Sequence, residues 1–128
     1  MQTLTEQIIG CAMKVHRTLR PGFLEKVYEN ALVHELRKCG HHVEQQDPFT
    51  VFYDGRNVGD YVSDIVVERK VVLELKALSA SIEPFTNVCL NYLRTSNLPV
   101  CLLINFGKPS LEWKRLVGEN YDATREVL

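Results

Sequence analysis

No part of this sequence is apolar for long enough to cross a bilayer. Its longest unbroken apolar run is Val100–Ile104, and a membrane helix needs about 20 such residues. Met1–Cys11 lacks a basic region followed by an apolar stretch, so no secretory leader is visible and the cytoplasm is the expected compartment. The four cysteines, at 11, 39, 89 and 101, include no C-x-x-C pair and are expected as reduced, mostly buried thiols. There is no glycine loop to cradle a phosphate, no Ser-His-Asp arrangement and no repeat. Nor is there surplus positive charge: 15 Lys and Arg against 16 Asp and Glu leave a net −1. This balance counts against tight nucleic-acid binding through bulk charge; any such partner would need a local basic patch or a metal ion to supply part of the positive charge.

The chain does have core material. Hydrophobic residues make up 45% and charged residues 24%, ordinary for one domain over residues 1–128, with a polar tail from about 118 to 128. Thr3 and Glu6 predict a capping box, and Leu4, Ile8, Ala12, Val15 and Leu19 a helix over 3–20. Arg20-Pro21-Gly22 breaks it. A second helix is expected from Phe23 to Cys39, with Gly40 just beyond its end. His42–Gln46 and Phe49–Tyr53 read as short strands, and Tyr61–Val67 and Lys70–Ala77 as a hairpin around Glu68-Arg69. A third helix follows over Glu83–Thr95, with Pro84 in its first turn. Then come the apolar strand Val100–Asn105 and an edge strand over Leu111–Val117, which could pair with a second copy of the chain. The order is helix, helix, four strands, helix, strand, strand.

The informative segment is Tyr61–Ala77, YVSDIVVERKVVLELKA. Glu74 and Lys76 share one face of a strand while Leu75 points away. Their neighbours are Val71, Val72, Leu73, Leu75, Ala77 and Leu78. Charges are rarely placed in such a run unless they are paired or bind metal. Phosphodiester hydrolysis uses a cation to neutralise developing charge and to acidify the attacking water. Magnesium (or manganese) takes one or two carboxylates and keeps several waters. Asp64 and Glu74 are the expected ligands, with the Leu75 backbone carbonyl as a further oxygen and Lys76 to hold the water or stabilise the charged phosphorane.

Asp64 followed by Glu74-Leu75-Lys76 resembles the PD-(D/E)XK nuclease signature. Upstream, Gly22-Phe23-Leu24-Glu25-Lys26-Val27-Tyr28 reads G-x-x-E-x-x-Y and resembles the GxxExxY proteins, a group within that superfamily. Further similarity runs through Glu29–Leu32, Glu74–Ala77, Asn91–Leu93 and Leu103–Gly107, over roughly residues 5–116. The resemblance implies an α/β, restriction-endonuclease-like core with a central mixed sheet flanked by helices, and a nuclease activity. It also implies that Glu25 is an extra acid near the metal, facing inward with Tyr28 and Leu32. Two positions depart from the pattern: Val88 stands where relatives carry Gln four residues before Tyr92, and Arg20 where they favour Gly. The Val88 departure keeps a second reading open, a non-catalytic module that binds nucleic acid or a protein partner.

Tyr28 and Tyr92 are expected as site-wall or substrate residues, with Tyr61 able to stack on bases. Lys26, Lys108, Lys114 and Arg115 are the candidate phosphate contacts. Cys39, His41 and His42 suggest zinc, but a structural site needs four ligands, and the one other nearby candidate is His34 on the polar face of the second helix, so a zinc site is not expected. Hairpin register decides the metal reading. A two-residue turn would set Asp64 against Leu73, on the wrong face, so a three-residue turn or a bulge is required.

Overall fold

A computed structural model describes residues 2–122 and residue 128. Helix α1 (Leu4–Leu19) starts at the expected capping box between Thr3 and Glu6. Helix α2 (Glu25–Lys38) begins two residues later than its apolar pattern suggests, because Leu24 is extended at φ −68, ψ 153. Gly40 lies beyond its end at φ 90, as predicted for the C-terminal turn.

Strands β1 (Val43–Tyr53), β2 (Arg56–Val67) and β3 (Val71–Lys76) follow. The two short strands expected around Asp47-Pro48 are thus one, and three strands rather than four precede the third helix. Pro48 is tolerated because β1 lies at the sheet edge, where half its backbone groups have no ladder partner; Pro48 pairs with Val62. The second strand also reaches back past Tyr61 to Arg56. A 3-10 turn (Glu83–Phe85) leads into helix α3 (Thr86–Ser96), and β4 (Val100–Asn105) and β5 (Glu112–Val117) complete the order. The expected polar tail falls partly at 123–127, outside the described residues.

The sheet order is β1-β2-β3-β4-β5. β3 and β4 are parallel and the other pairs antiparallel. Tyr28, Leu32 and Leu36 of α2 and Ile8 and Val15 of α1 pack on Ile65, Leu73, Leu75 and Ile104. Cys89 and Leu93 of α3 pack on Val72, Cys101 and Leu103 across the sheet. This is a mixed five-stranded sheet flanked by three helices, consistent with a restriction-endonuclease-like core. β4 is buried along its whole length, as its unbroken apolar run requires. Among the described residues no helix is long and apolar enough to cross a membrane.

Candidate active site

The turn between β2 and β3 decides the site. Val67 pairs with Val71, Val66 with Val72 and Ile65 with Leu73. Glu68, Arg69 and Lys70 therefore form a three-residue turn, with Glu68 and Arg69 in left-handed conformations at φ 54 and 51. This is the register the metal reading needed. Continued one step, it sets Asp64 against Glu74 on the α3 face. There the strands part: β2 goes on beside β1, and β3 beside β4. Asp64 sits in the opening, and its Oδ2 accepts a 2.8 Å hydrogen bond from the Leu75 N–H. The Leu75 carbonyl projects to the same side of β3, as both polar groups of a strand residue do. Ser63 stands where the motif's name has proline; it is buried, and its hydroxyl donates to the Asp47 carbonyl at 3.1 Å.

Glu74 is buried, and its Oε1 has no hydrogen-bond partner. Burial, reinforced by the Asp64 charge, pushes its carboxyl up to about 9. Asp64 is raised too, mainly by burial, while the Leu75 N–H opposes the shift. Lys76 is half-buried, with Nζ 4.3 Å from the centre of the Phe85 ring. It makes no ion pair with Asp64 or Glu74, though its charge favours ionisation of both.

From α2, Glu25 is half-buried, and burial and the Asp64 charge raise its carboxyl. No three His, Cys, Asp or Glu side chains among the described residues are grouped closely enough to hold an ion. Glu25 thus borders the Asp64–Glu74 pair without completing a three-acid set, and the Cys39 and histidine cluster makes no such set either. Sequence reasoning missed Glu29. It is buried and accepts from Lys26 Nζ at 2.8 Å, from Gln46 Nε2 at 3.1 Å and from Gln45 Nε2. Gln46 drops out of the β1–β2 ladder opposite Asp64, at φ 58. Glu29 lies one helical turn after Glu25 and opens the Glu29–Leu32 stretch of family similarity, the two signals that could have found it.

The tyrosines divide. Tyr28 is fully buried: its hydroxyl donates to the Arg20 carbonyl at 2.6 Å and accepts from the Phe23 N–H at 3.1 Å. Its ring stacks on Phe106 with centroids 4.9 Å apart. No part of it is open to substrate; it locks the loop before α2. Tyr92 packs edge-on to Tyr61 at 5.4 Å and donates to the Val62 carbonyl at 2.9 Å. Burial raises its hydroxyl, and the Glu74 and Asp64 charges raise it further, which marks Tyr92 as a neighbour of the two acids. Val88 is exposed.

Two further residues fix the exit of β3. Asn105 is buried; its Oδ1 accepts from the Leu78 and Gly107 N–H groups at 2.9 and 3.0 Å, and its Nδ2 donates to the Leu78 carbonyl at 3.0 Å. Gly107 passes so close to that segment that an added Cβ would lie 2.3 Å from the Leu78 nitrogen. All four cysteines are free; Cys89 and Cys101 are buried, Cys11 is half-buried and Cys39 exposed. Hydrogen bonding to Cys101 lowers the Cys89 thiol.

A carboxylate oxygen left without a partner inside a protein is costly unless an ion or water meets it. The orphaned Glu74 oxygen beside Asp64 and the Leu75 carbonyl therefore fits a hard divalent cation. A family profile described as the PD-(D/E)XK nuclease superfamily matches residues 2–116. The chain belongs to the PD-(D/E)XK nuclease superfamily. Its nucleases are in general dependent on a divalent metal. The crystal structure of a protein called SSO0001 is similar in fold, with TM-score 0.55 at 14% identity over 77% of this chain and 52% of that one. The present chain thus spans about half the length of that protein. Among curated proteins no sequence matches.

Proposed function

We propose that this PD-(D/E)XK protein is a magnesium- or manganese-dependent nuclease of the GxxExxY type, cutting phosphodiester bonds of DNA or RNA. The observation that carries the reading is the buried Glu74 carboxylate with an unpartnered oxygen, set against Asp64 where two strands part. Asp64, Glu74 and the Leu75 carbonyl would hold the ion. When bound, the ion acidifies water and offsets the charge that builds up on the phosphoryl oxygens. Lys76, on the same face as Glu74, is long enough to leave the Phe85 ring and hold the attacking water or the charged phosphorane. Glu25 adds negative charge that favours a cation, and Tyr92 walls the site from the α3 side. The free cysteines support a reducing compartment such as the cytoplasm.

Cleavage of end-labelled DNA and RNA oligonucleotides in millimolar magnesium or manganese tests this. Wild type is expected to cut. Lys76→Met keeps the volume of the stem and removes the charge. It is expected to lose cutting by about 100-fold or more while keeping the metal-induced rise in melting temperature. Equal cutting by wild type and Lys76→Met would remove Lys76 from the chemistry.

A second reading has its own support. Lys76 rests on Phe85 rather than against the acids, and Val88 exposes an apolar side chain one turn before Tyr92. On that reading the fold binds nucleic acid or a protein without cutting. A metal response with no cleavage of any tested oligonucleotide would favour it.

A further inference from the structure

The cations singled out from sequence as phosphate contacts are largely engaged within the molecule. Lys26 pairs with Glu29, Lys108 with Glu112 at 3.6 Å and Lys114 with Glu83 at 2.8 Å. Arg115 donates to the Thr5 hydroxyl at 3.4 Å and lies over the Tyr121 ring. Arg17 and Arg20 differ: among the described residues neither guanidinium has an ion-pair or hydrogen-bond partner. Both line one open cavity of about 460 Å³, walled by His16, Pro21 and Pro109.

Position 20 is also strained. Arg20 sits at φ 62, ψ 165, a region that is essentially glycine's alone. Its N–H donates to the His16 carbonyl at 2.9 Å and its carbonyl accepts from Tyr28. The backbone here needs glycine, yet the residue is an exposed arginine lining a cavity that Arg17 also lines. Strain tolerated at such a point argues for a use of the side chain.

A chain of contacts links the cavity's walls to the end of β3 that carries Lys76. Tyr28, which holds the Arg20 carbonyl, stacks on Phe106, and the Phe106 N–H donates to the Lys76 carbonyl at 2.8 Å. From the other wall, His16 Nε2 bonds the Lys108 carbonyl at 2.8 Å, two residues after Phe106. Glu25 follows Arg20 by five positions, so their Cα atoms are at most roughly 18 Å apart. That is about five nucleotide steps at ~3.4 Å of rise per strand.

We propose that Arg17 and Arg20 form a phosphate clamp that holds the backbone of the nucleic-acid substrate a few nucleotides from the Asp64–Glu74 pair. The forked guanidinium suits phosphate oxygens bidentately. The clamp explains how a chain of net charge −1 holds a polyanion: it needs only a local pair of free cations. The inference rests on the nuclease reading for its substrate, and its test stands apart from cleavage.

The test is fluorescence anisotropy of a labelled single-stranded oligonucleotide with the whole protein in EDTA, across a salt series, with melting temperatures for each variant. Arg17→Ala with Arg20→Gly is expected to weaken binding at low salt by roughly tenfold or more. It should also lower the log–log salt slope by about 1.4, two single-strand phosphate contacts at ~0.7 each. Arg20→Gly alone is expected to melt no lower than wild type, because glycine relieves the backbone, so weakened binding cannot be laid to misfolding. Inorganic phosphate at millimolar concentration should compete poorly with the strand. Strong competition would make free phosphate the ligand and overturn the strand assignment. Unchanged affinity and slope in the double variant, or no binding by wild type at low salt, would overturn the clamp. Loss of slope in a protein that never cuts would leave the clamp standing and sink the nuclease reading alone.

Discussion

Glu74 is the residue on which the account turns. With its carboxyl raised to about 9 from the ordinary 4.5, the folded, metal-free protein keeps a proton that the unfolded chain has already released. Its contribution to stability is therefore full below 4.5 and is lost as pH rises toward 9. Asp64 and Glu25 shift in the same direction. In EDTA, the urea midpoint is expected to fall between mildly acidic and alkaline pH, and Glu74→Gln should flatten much of that fall. An identical pH profile in wild type and variant would show that Glu74 is not desolvated as the structure has it. Glu29 belongs to the same scale. Removing its carboxylate strands the Gln45 and Gln46 amides, so Glu29→Ala is expected to cost about 3 kcal/mol by urea denaturation. Asp64, Glu74 and Lys76 were legible in the sequence because strand alternation puts two charges on one face of an apolar run. Glu29 was not: its burial depends on Gln45, 16 residues away. Tyr28 was misplaced for a related reason, since G-x-x-E-x-x-Y shows that a tyrosine stands there but not that its hydroxyl closes the loop behind it.

At the level of elements, the hairpin turn and the exit of β3 hold the site together. Arg69→Gly and Arg69→Val both remove the exposed pair with Glu44. They differ in what they ask of a left-handed position, φ 51. The glycine variant is expected to be the more stable by about 1 kcal/mol. Equal stabilities would contradict the left-handed turn, and with it the register that brings Asp64 across from Glu74. Gly107→Ala drives a methyl group into the Ala77–Leu78 backbone, just past Lys76. It is expected to lower the melting temperature and to lower cleavage beyond what the loss of folded protein explains. The turn residues Glu68-Arg69 were visible in the sequence, but the third turn residue was not. Lys70 read as the first residue of a strand, and only the packing of Val71, Leu73 and Leu75 against α2 selects the longer turn. The merging of two short strands into β1 was hidden likewise, because a proline interrupts an interior strand but not an edge one.

Across the whole molecule, the order of elements followed from periodicity except for the strand count before α3, and the mixed sheet and the superfamily followed from the resemblance carried by the Asp64–Lys76 segment and G-x-x-E-x-x-Y. Charge was harder to place. Composition shows near-neutrality, but which cations are spent on internal pairs depends on contacts such as Lys114 with Glu83, 31 residues apart. The fold joins two acids that repel one another and leaves a buried oxygen without a partner. A cation that binds only the folded state should then stabilise the whole chain by mass action. The most direct test is a melting titration with magnesium and manganese, wild type against Glu74→Ala. At a metal concentration ten times Kd, wild type is expected to gain about 1.4 kcal/mol, a rise of ~4–6 °C. Glu74→Ala should start no lower than metal-free wild type, because the cost of burying the carboxyl is gone, and should gain little from either metal. Melting curves of the two proteins that respond identically to both metals, up to millimolar concentrations, would contradict a metal site at Asp64 and Glu74.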